Sequence, residues 1–160
     1  DMEGSRGLGD VYKRQDTDNI PYQKPLNIKN PKKEFETNTA KVLSSDIDFK
    51  FIESDYRKID YKKLGKFNTY FFDGPHEEID QYDAIILAQP ALDDNFILIV
   101  DDWNYPEVRN GTNRAIEKLN LHINSKIEIK TTQHDKDPQL LKFHFSDWHN
   151  GYFIGSCCKK

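Results

Sequence analysis

Residues 69–103, TYFFDGPHEEIDQYDAIILAQPALDDNFILIVDDW, contain the pattern that decides the fold. Two continuous apolar runs, residues 69–72 and 96–100, are rich in aromatic and β-branched side chains. Runs of this kind are typical of strands that are buried on both faces of a parallel sheet. Between them, residues 77–89 carry apolar side chains at helical spacing, begin with two glutamates and end at Pro90. The stretch therefore predicts two central parallel strands that are joined by a crossover helix.

The sequence downstream predicts a second helix and two late strands. Asn104 is expected to cap a helix over residues 104–119, with Pro106 in its first turn. One face of this helix is formed by Val108, Thr112, Ala115, Ile116 and Leu119. Residues 126–131 (KIEIKT) alternate as a half-exposed strand, and residues 151–158 (GYFIGSCC) predict a last one. Two late strands after a parallel β-α-β-α unit suggest an antiparallel C-terminal edge of the sheet.

The sequence upstream is less regular. Residues 16–33 are polar and contain three prolines, which predicts an irregular connection. A short helix is expected over residues 32–43. The apolar run 49–52 predicts a further strand, and the polar stretch after it, which contains Tyr56, suits a brief helix or turn.

The first fifteen residues form a separate segment. They show no periodicity, and their ending VYKRQ resembles translated sequencing-adapter sequence. We therefore expect residues 1–15 to be a non-native or disordered tail. Residues 16–160 are expected to form a partial α/β domain.

Composition narrows the function classes. The chain has 160 residues, 36% hydrophobic and 12% aromatic, which is enough for one domain with a core. Its net charge is -4, and acidic and basic residues are interspersed. The sequence therefore has no basic stripe of the kind that binds nucleic acid, and no nucleic-acid partner is expected. No apolar run approaches the ~20 residues of a membrane span, so no membrane partner is expected and the cytoplasm is the expected compartment. The adjacent Cys157 and Cys158 are expected to be reduced, because vicinal pairs rarely have disulfide geometry.

Both predicted central strands end in acidic residues. Asp73 follows the first strand, and Asp101 and Asp102 follow the second. Ligands of open α/β sheets bind outside the carboxyl ends of the strands, and neighbouring strands lie about 4.8 Å apart. If the two strands are neighbours, these carboxylates converge and either raise one another's pKa or bind a cation. A hard divalent ion such as Mg²⁺ suits such oxygen ligands.

His76 lies three residues after Asp73, beyond a Gly-Pro turn at the same end of the sheet. Imidazole side chains titrate near neutrality, so His76 is a candidate base for a substrate hydroxyl that a metal has made more acidic. A structural interpretation stays open for each of these residues. Strand-terminal aspartates often cap turns or helices, and a histidine at a helix start is often only hydrogen-bonded.

Residues 49–121 resemble class I S-adenosylmethionine (SAM) dependent methyltransferases. The resemblance is to the metal-dependent branch that includes the macrocin-type O-methyltransferases, in which the fourth strand ends in I/F-D-G-x-H and the fifth in V-D-D. It implies a Rossmann-like, mostly parallel sheet with helices on both faces. It also implies a small hydroxylated acceptor oriented by Mg²⁺ or another divalent cation, with Asp73, Asp101 and Asp102 as metal ligands and His76 as the base.

The resemblance also implies positions that contact SAM. Glu53 and Asp55, at the end of the expected third strand, match the adenine side, Asp18 matches the acid that binds the ribose, and Asp73 is a further expected contact. The first strand and the glycine-rich loop of the family are missing. We therefore expect the chain to be an N-terminally truncated fragment that binds SAM poorly or not at all, although the natural protein binds it.

Two other functions remain open. Paired acids at a strand end also hold Mg²⁺ or Mn²⁺ against a diphosphate, as in a metal-dependent glycosyltransferase or nucleotide-sugar enzyme. A non-catalytic Rossmann-like binding module would use the same aspartates only as caps.

Overall fold

The computed structural model describes residues 30–132 and 150–160. Its main elements are α1 (Pro31–Val42), β1 (Phe67–Phe72), α2 (Glu78–Ala88), β2 (Leu92–Asp101), α3 (Pro106–Lys118), β3 (His122–Ile129) and β4 (Tyr152–Cys158). Short 3-10 helices span Tyr56–Lys58, Tyr61–Lys63 and Gln89–Ala91. The expectations for the tail, for Asp18 and for most of the connection over residues 16–33 concern residues outside the described ranges.

The strands form one mixed sheet in the order β1-β2-β4-β3. β1 and β2 pair in parallel, and β4 is antiparallel to both of its neighbours. The predicted parallel strands, their crossover helix and the two late strands are therefore confirmed. The predicted antiparallel C-terminal edge is also confirmed, since β4 and β3 form it. One detail of the prediction is wrong for the described sheet: β1 lies at an edge instead of the centre.

The core lies on one face of the sheet. Leu98 and Val100 of β2 and Phe153 of β4 are buried there, together with Ile85 of α2 and Val108 of α3. Helix α2 connects β1 to β2, and α3 connects β2 to β3, so both connections run in the same direction across the sheet. Right-handed connections in the same direction place their helices on the same face.

In the part of the chain that the structure describes, no helix covers the opposite face of the sheet. Phe71, Ile97 and Ile127 are 52%, 36% and 58% exposed, respectively. The prediction that β1 and β2 are buried on both faces is therefore wrong within the described residues, because α2 and α3 cover only one face. The helix layer expected on the second face is not confirmed.

The predicted third strand is also absent from residues 49–52. Phe49 and Phe51 are exposed, and their rings lie 6.2 and 5.1 Å from that of Phe35 in α1. The apolar run therefore packs against a helix instead of pairing in the sheet. The turn predicted after it is confirmed, since Tyr56 begins a 3-10 helix and donates a hydrogen bond of 2.6 Å to Asp80 of α2.

Two helix starts can be compared with their predictions. The helix over residues 32–43 is confirmed, and Asn30 caps it by accepting a hydrogen bond from the Lys33 amide. The N-cap predicted at Asn104 is wrong, because Tyr105 occupies that position. The Asn104 side chain is instead buried and makes two hydrogen bonds to Thr131. Among the described helices, none has the length and apolar character to cross a membrane.

Candidate metal centre

The pairing of β1 with β2 brings the predicted acids to one edge of the sheet. Phe72 pairs with Val100, so Asp73 and Asp101 follow paired residues at the carboxyl ends of neighbouring parallel strands. The carboxyl ends of such strands are where an open α/β sheet binds ligands. The expected convergence of these two side chains therefore follows from the register.

The backbone at Asp102 explains how two consecutive aspartates face the same point. Successive side chains of a strand point to opposite faces. Asp102 departs from strand geometry, with a φ of 59°, in the left-handed region that few residues other than glycine, asparagine and aspartate adopt. This turn directs Asp102 toward Asp73 and Asp101.

Asp73, Asp101 and Asp102 each offer a carboxylate oxygen, and these three atoms lie within 4.8 Å of one another. Asp102 is buried and the other two are half-buried. Burial raises the pKa of Asp101 to about 6, and the charges of Asp102 and Asp73 add to the rise. The cluster therefore concentrates negative charge in a place where water screens it poorly.

The Asp101 carboxylate is held by two donors. Its Oδ1 accepts a hydrogen bond of 2.7 Å from the Asp102 amide, and its Oδ2 accepts one of 3.4 Å from the Tyr152 hydroxyl. Burial, together with the charge of Asp101, raises the pKa of Tyr152 to about 12. Tyr152 therefore stays protonated near neutral pH and continues to donate.

His76 lies against the same cluster, as its position after β1 predicted. Its Nε2 is 2.6 Å from Asp102 Oδ2. The imidazole ring stacks on the Tyr105 ring, with 4.8 Å between centroids and 22° between planes. One carboxylate and one aromatic ring therefore fix the orientation of the predicted base.

Two residues expected to bind SAM, Glu53 and Asp55, make contacts away from the acidic cluster, whereas Asp73 belongs to it. Glu53 forms an exposed ion pair with Lys32, and Asp55 caps the 3-10 helix Tyr56–Lys58 by accepting a hydrogen bond from the Arg57 amide. Neither belongs to the acidic group of the described residues, which consists of Asp73, Asp101 and Asp102.

The sequence reasoning missed Asn150 and Tyr152 as neighbours of the carboxylates. Asn150 donates a hydrogen bond of 2.6 Å from Nδ2 to Asp102 Oδ1. The polar sequence before β4, which includes Asn150, suits a hairpin turn or a loop over the substrate cleft equally well, and neither interpretation predicts a contact with the aspartates. Asn150 and Tyr152 lie next to Asp101 and Asp102 because β4 pairs with β2. No local sequence pattern at either residue predicts this long-range pairing.

The donor set fits a hard divalent cation. Three carboxylates supply oxygen ligands, the kind that Mg²⁺ and Ca²⁺ prefer, and no cysteine takes part. A cation would offset the repulsion that raises the pKa of Asp101. Comparisons of the chain with protein-family models, with curated proteins and with solved structures find no match.

Proposed function

We propose that this chain belongs to a SAM-dependent methyltransferase that transfers a methyl group to a small hydroxylated acceptor with the help of a divalent cation. The observation that carries the proposal is the grouping of Asp73, Asp101 and Asp102 beside His76. These residues belong to the D-G-x-H and V-D-D motifs on which the resemblance to the family depends. The β-α-β unit that carries both endings supports the same proposal.

In the proposed reaction Asp73, Asp101 and Asp102 would hold the cation, and a cation bound there would supply Lewis-acid chemistry that increases the acidity of an acceptor hydroxyl. SAM would supply the methyl group. Asp102 lies against Nε2 of His76 and orients the imidazole, which would act as the base that accepts the hydroxyl proton. Asp102 then stabilises the imidazolium that forms, and the stacked Tyr105 keeps the ring in place.

Paramagnetic broadening tests the proposal even if SAM binds weakly, because a ligand in fast exchange reports on a Mn²⁺ ion near its binding site. The proton spectrum of millimolar SAM is recorded with substoichiometric chain and Mn²⁺, and again with Mn²⁺ alone. We expect the chain to increase the broadening of the S-methyl resonance, and we expect Asp101→Asn to remove the increase. Asp94→Asn is the matched control, because Asp94 is an exposed acid of the same strand.

A uridine diphosphate sugar serves as the competing ligand in the same experiment. Protein-dependent broadening of its resonances, without any for SAM, would contradict the methyltransferase and favour a nucleotide-sugar enzyme. Absence of broadening for both ligands would also contradict the proposal. Radiolabelled methyl transfer from SAM to a panel of vicinal diols, with and without Mg²⁺, then identifies the acceptor class.

A further inference from the structure

Asn150 lies immediately before β4, where its side chain is almost completely buried against the acidic cluster. It is 1% exposed, and its Nδ2 donates the hydrogen bond of 2.6 Å to Asp102 Oδ1. The other oxygen of Asp102 faces His76 Nε2. The two oxygens of this carboxylate are thus held by side chains from two different parts of the chain.

The backbone around Asn150 is fixed to the end of β2. The Asn150 carbonyl accepts a hydrogen bond of 2.8 Å from the Asn104 amide, and the Gly151 carbonyl accepts one of 3.2 Å from the Trp103 amide. Gly151 has a φ of 84°, and a Cβ there would lie 2.2 Å from the Ile129 carbonyl oxygen. The Asn150 side chain therefore cannot leave Asp102 by a simple backbone shift.

The amide oxygen of Asn150 gives an independent sign of a ligand. Oδ1 is buried and has no hydrogen-bond partner in residues 30–132 and 150–160. A buried acceptor without a donor is unfavourable, and such groups are uncommon in folded proteins. An amide oxygen is also a ligand or hydrogen-bond acceptor that suits a hydrated hard cation.

We propose that Asn150 is a positioning residue of the candidate metal centre. It holds the Asp102 carboxylate, on a backbone in the left-handed region, in the orientation that lets it share a divalent cation with Asp73 and Asp101. It also links the start of β4 to the site. This inference rests on the metal centre of the proposed function. Groups that orient metal-binding side chains typically change metal affinity by 10–100-fold when they are removed.

The affinity for Mn²⁺, measured from the electron paramagnetic resonance signal of the free ion, tests the role of Asn150. We expect Asn150→Ala to weaken Mn²⁺ binding by about tenfold or more and to change the line shape of the bound ion. Asn150→Ser is measured as well, since a short hydroxyl keeps the position polar but does not reach Asp102. Asn104→Ala is the control: it removes a buried asparagine that bonds Thr131 instead of the cluster.

The control is expected to lower the thermal midpoint without changing Mn²⁺ affinity by more than about twofold. Parent-like Mn²⁺ binding by Asn150→Ala or Asn150→Ser would overturn the inference, as would an equal loss in Asn104→Ala. The parent and Asp101→Asn are measured in the same series. If the parent binds no Mn²⁺, or if Asp101→Asn binds it as the parent does, the metal centre itself fails and the inference fails with it.

Discussion

At Asp101, the negative charge that a metal site needs is buried in the fold, where it is unfavourable. Its pKa of about 6 lies above the ordinary value of 3.8, because the carboxylate is buried and faces two other acids. The folded chain therefore binds the proton more strongly than the unfolded chain does. Consequently, the contribution of Asp101 to the free energy of unfolding of the metal-free chain falls as the pH rises from about 4 through 6.

Asp101→Asn should therefore stabilise the metal-free chain at pH 7.5 or so, because it removes the buried charge. The amide oxygen can still accept the hydrogen bond from the Asp102 amide. Thermal midpoints of parent and variant in a chelator are compared across pH. The difference should shrink as the pH falls below about 6, where Asp101 of the parent is itself neutral. A variant less stable than the parent at neutral pH would contradict this.

Several residues of the candidate site could be predicted from the sequence. Asp73, Asp101 and Asp102 were recognisable because they follow the ends of apolar runs, and His76 was recognisable because it lies three residues after Asp73. The left-handed backbone at Asp102 and the buried Asn150 were not, since both depend on how β4 packs beside β2. A single asparagine before a strand has no local feature that distinguishes an exposed turn from a buried hydrogen-bond donor.

At the scale of elements, the packing of α2 against α3 fixes the helical layer beneath the sheet. Gly111 of α3 is buried, and a Cβ there would lie 2.2 Å from the Glu78 carbonyl oxygen and 2.6 Å from the Gln81 Cβ. The neighbouring atoms include backbone, which cannot rotate away. The two helices therefore approach each other through this glycine.

Gly111→Ala should destabilise the chain by about 1–3 kcal/mol through overpacking. The higher helix propensity of alanine, worth about 1 kcal/mol, opposes this effect but does not exceed it. Chemical denaturation followed by circular dichroism measures the change. Asn113→Ala, on the exposed side of the same helix, is the control and should leave stability unchanged or slightly higher. An equal or higher stability of Gly111→Ala would show that the helices do not pack as described.

The elements themselves were largely predictable, while their arrangement was less so. The strands β1 and β2 and the helix α2 follow from hydrophobic runs and helical spacing within residues 69–103. The insertion of β4 between β2 and β3 is a long-range pairing that local patterns do not encode. Residues 49–52 misled the prediction because a short apolar run suits a strand and a helix contact equally well.

At the scale of the whole molecule, the sheet presents an apolar face. Phe67 and Phe71 of β1 are 49% and 52% exposed, and Ile97 and Ile127 extend the same kind of surface across the sheet. Apolar patches of this kind bind dyes and other hydrophobic molecules. Within residues 30–132 and 150–160, the sheet thus differs from one that is covered by helices on both faces.

The chain should bind 8-anilinonaphthalene-1-sulfonate in its native state and enhance the fluorescence of this dye. Phe71→Lys should reduce the enhancement, because it places a charge on the exposed apolar face. Ile79→Lys is the control, since Ile79 is equally exposed but lies on α2. No enhancement by the parent, or equal reduction by both variants, would argue against an open apolar face.

Isothermal titration calorimetry with Mn²⁺ most directly tests whether three carboxylates from two neighbouring strands share one cation. The parent should bind one ion per chain, and Asp73→Asn, Asp101→Asn and Asp102→Asn should each weaken binding by at least about tenfold. Asp94→Asn should bind as the parent does. Undiminished binding in any of the three cluster variants, or no binding by the parent, would contradict a shared metal centre.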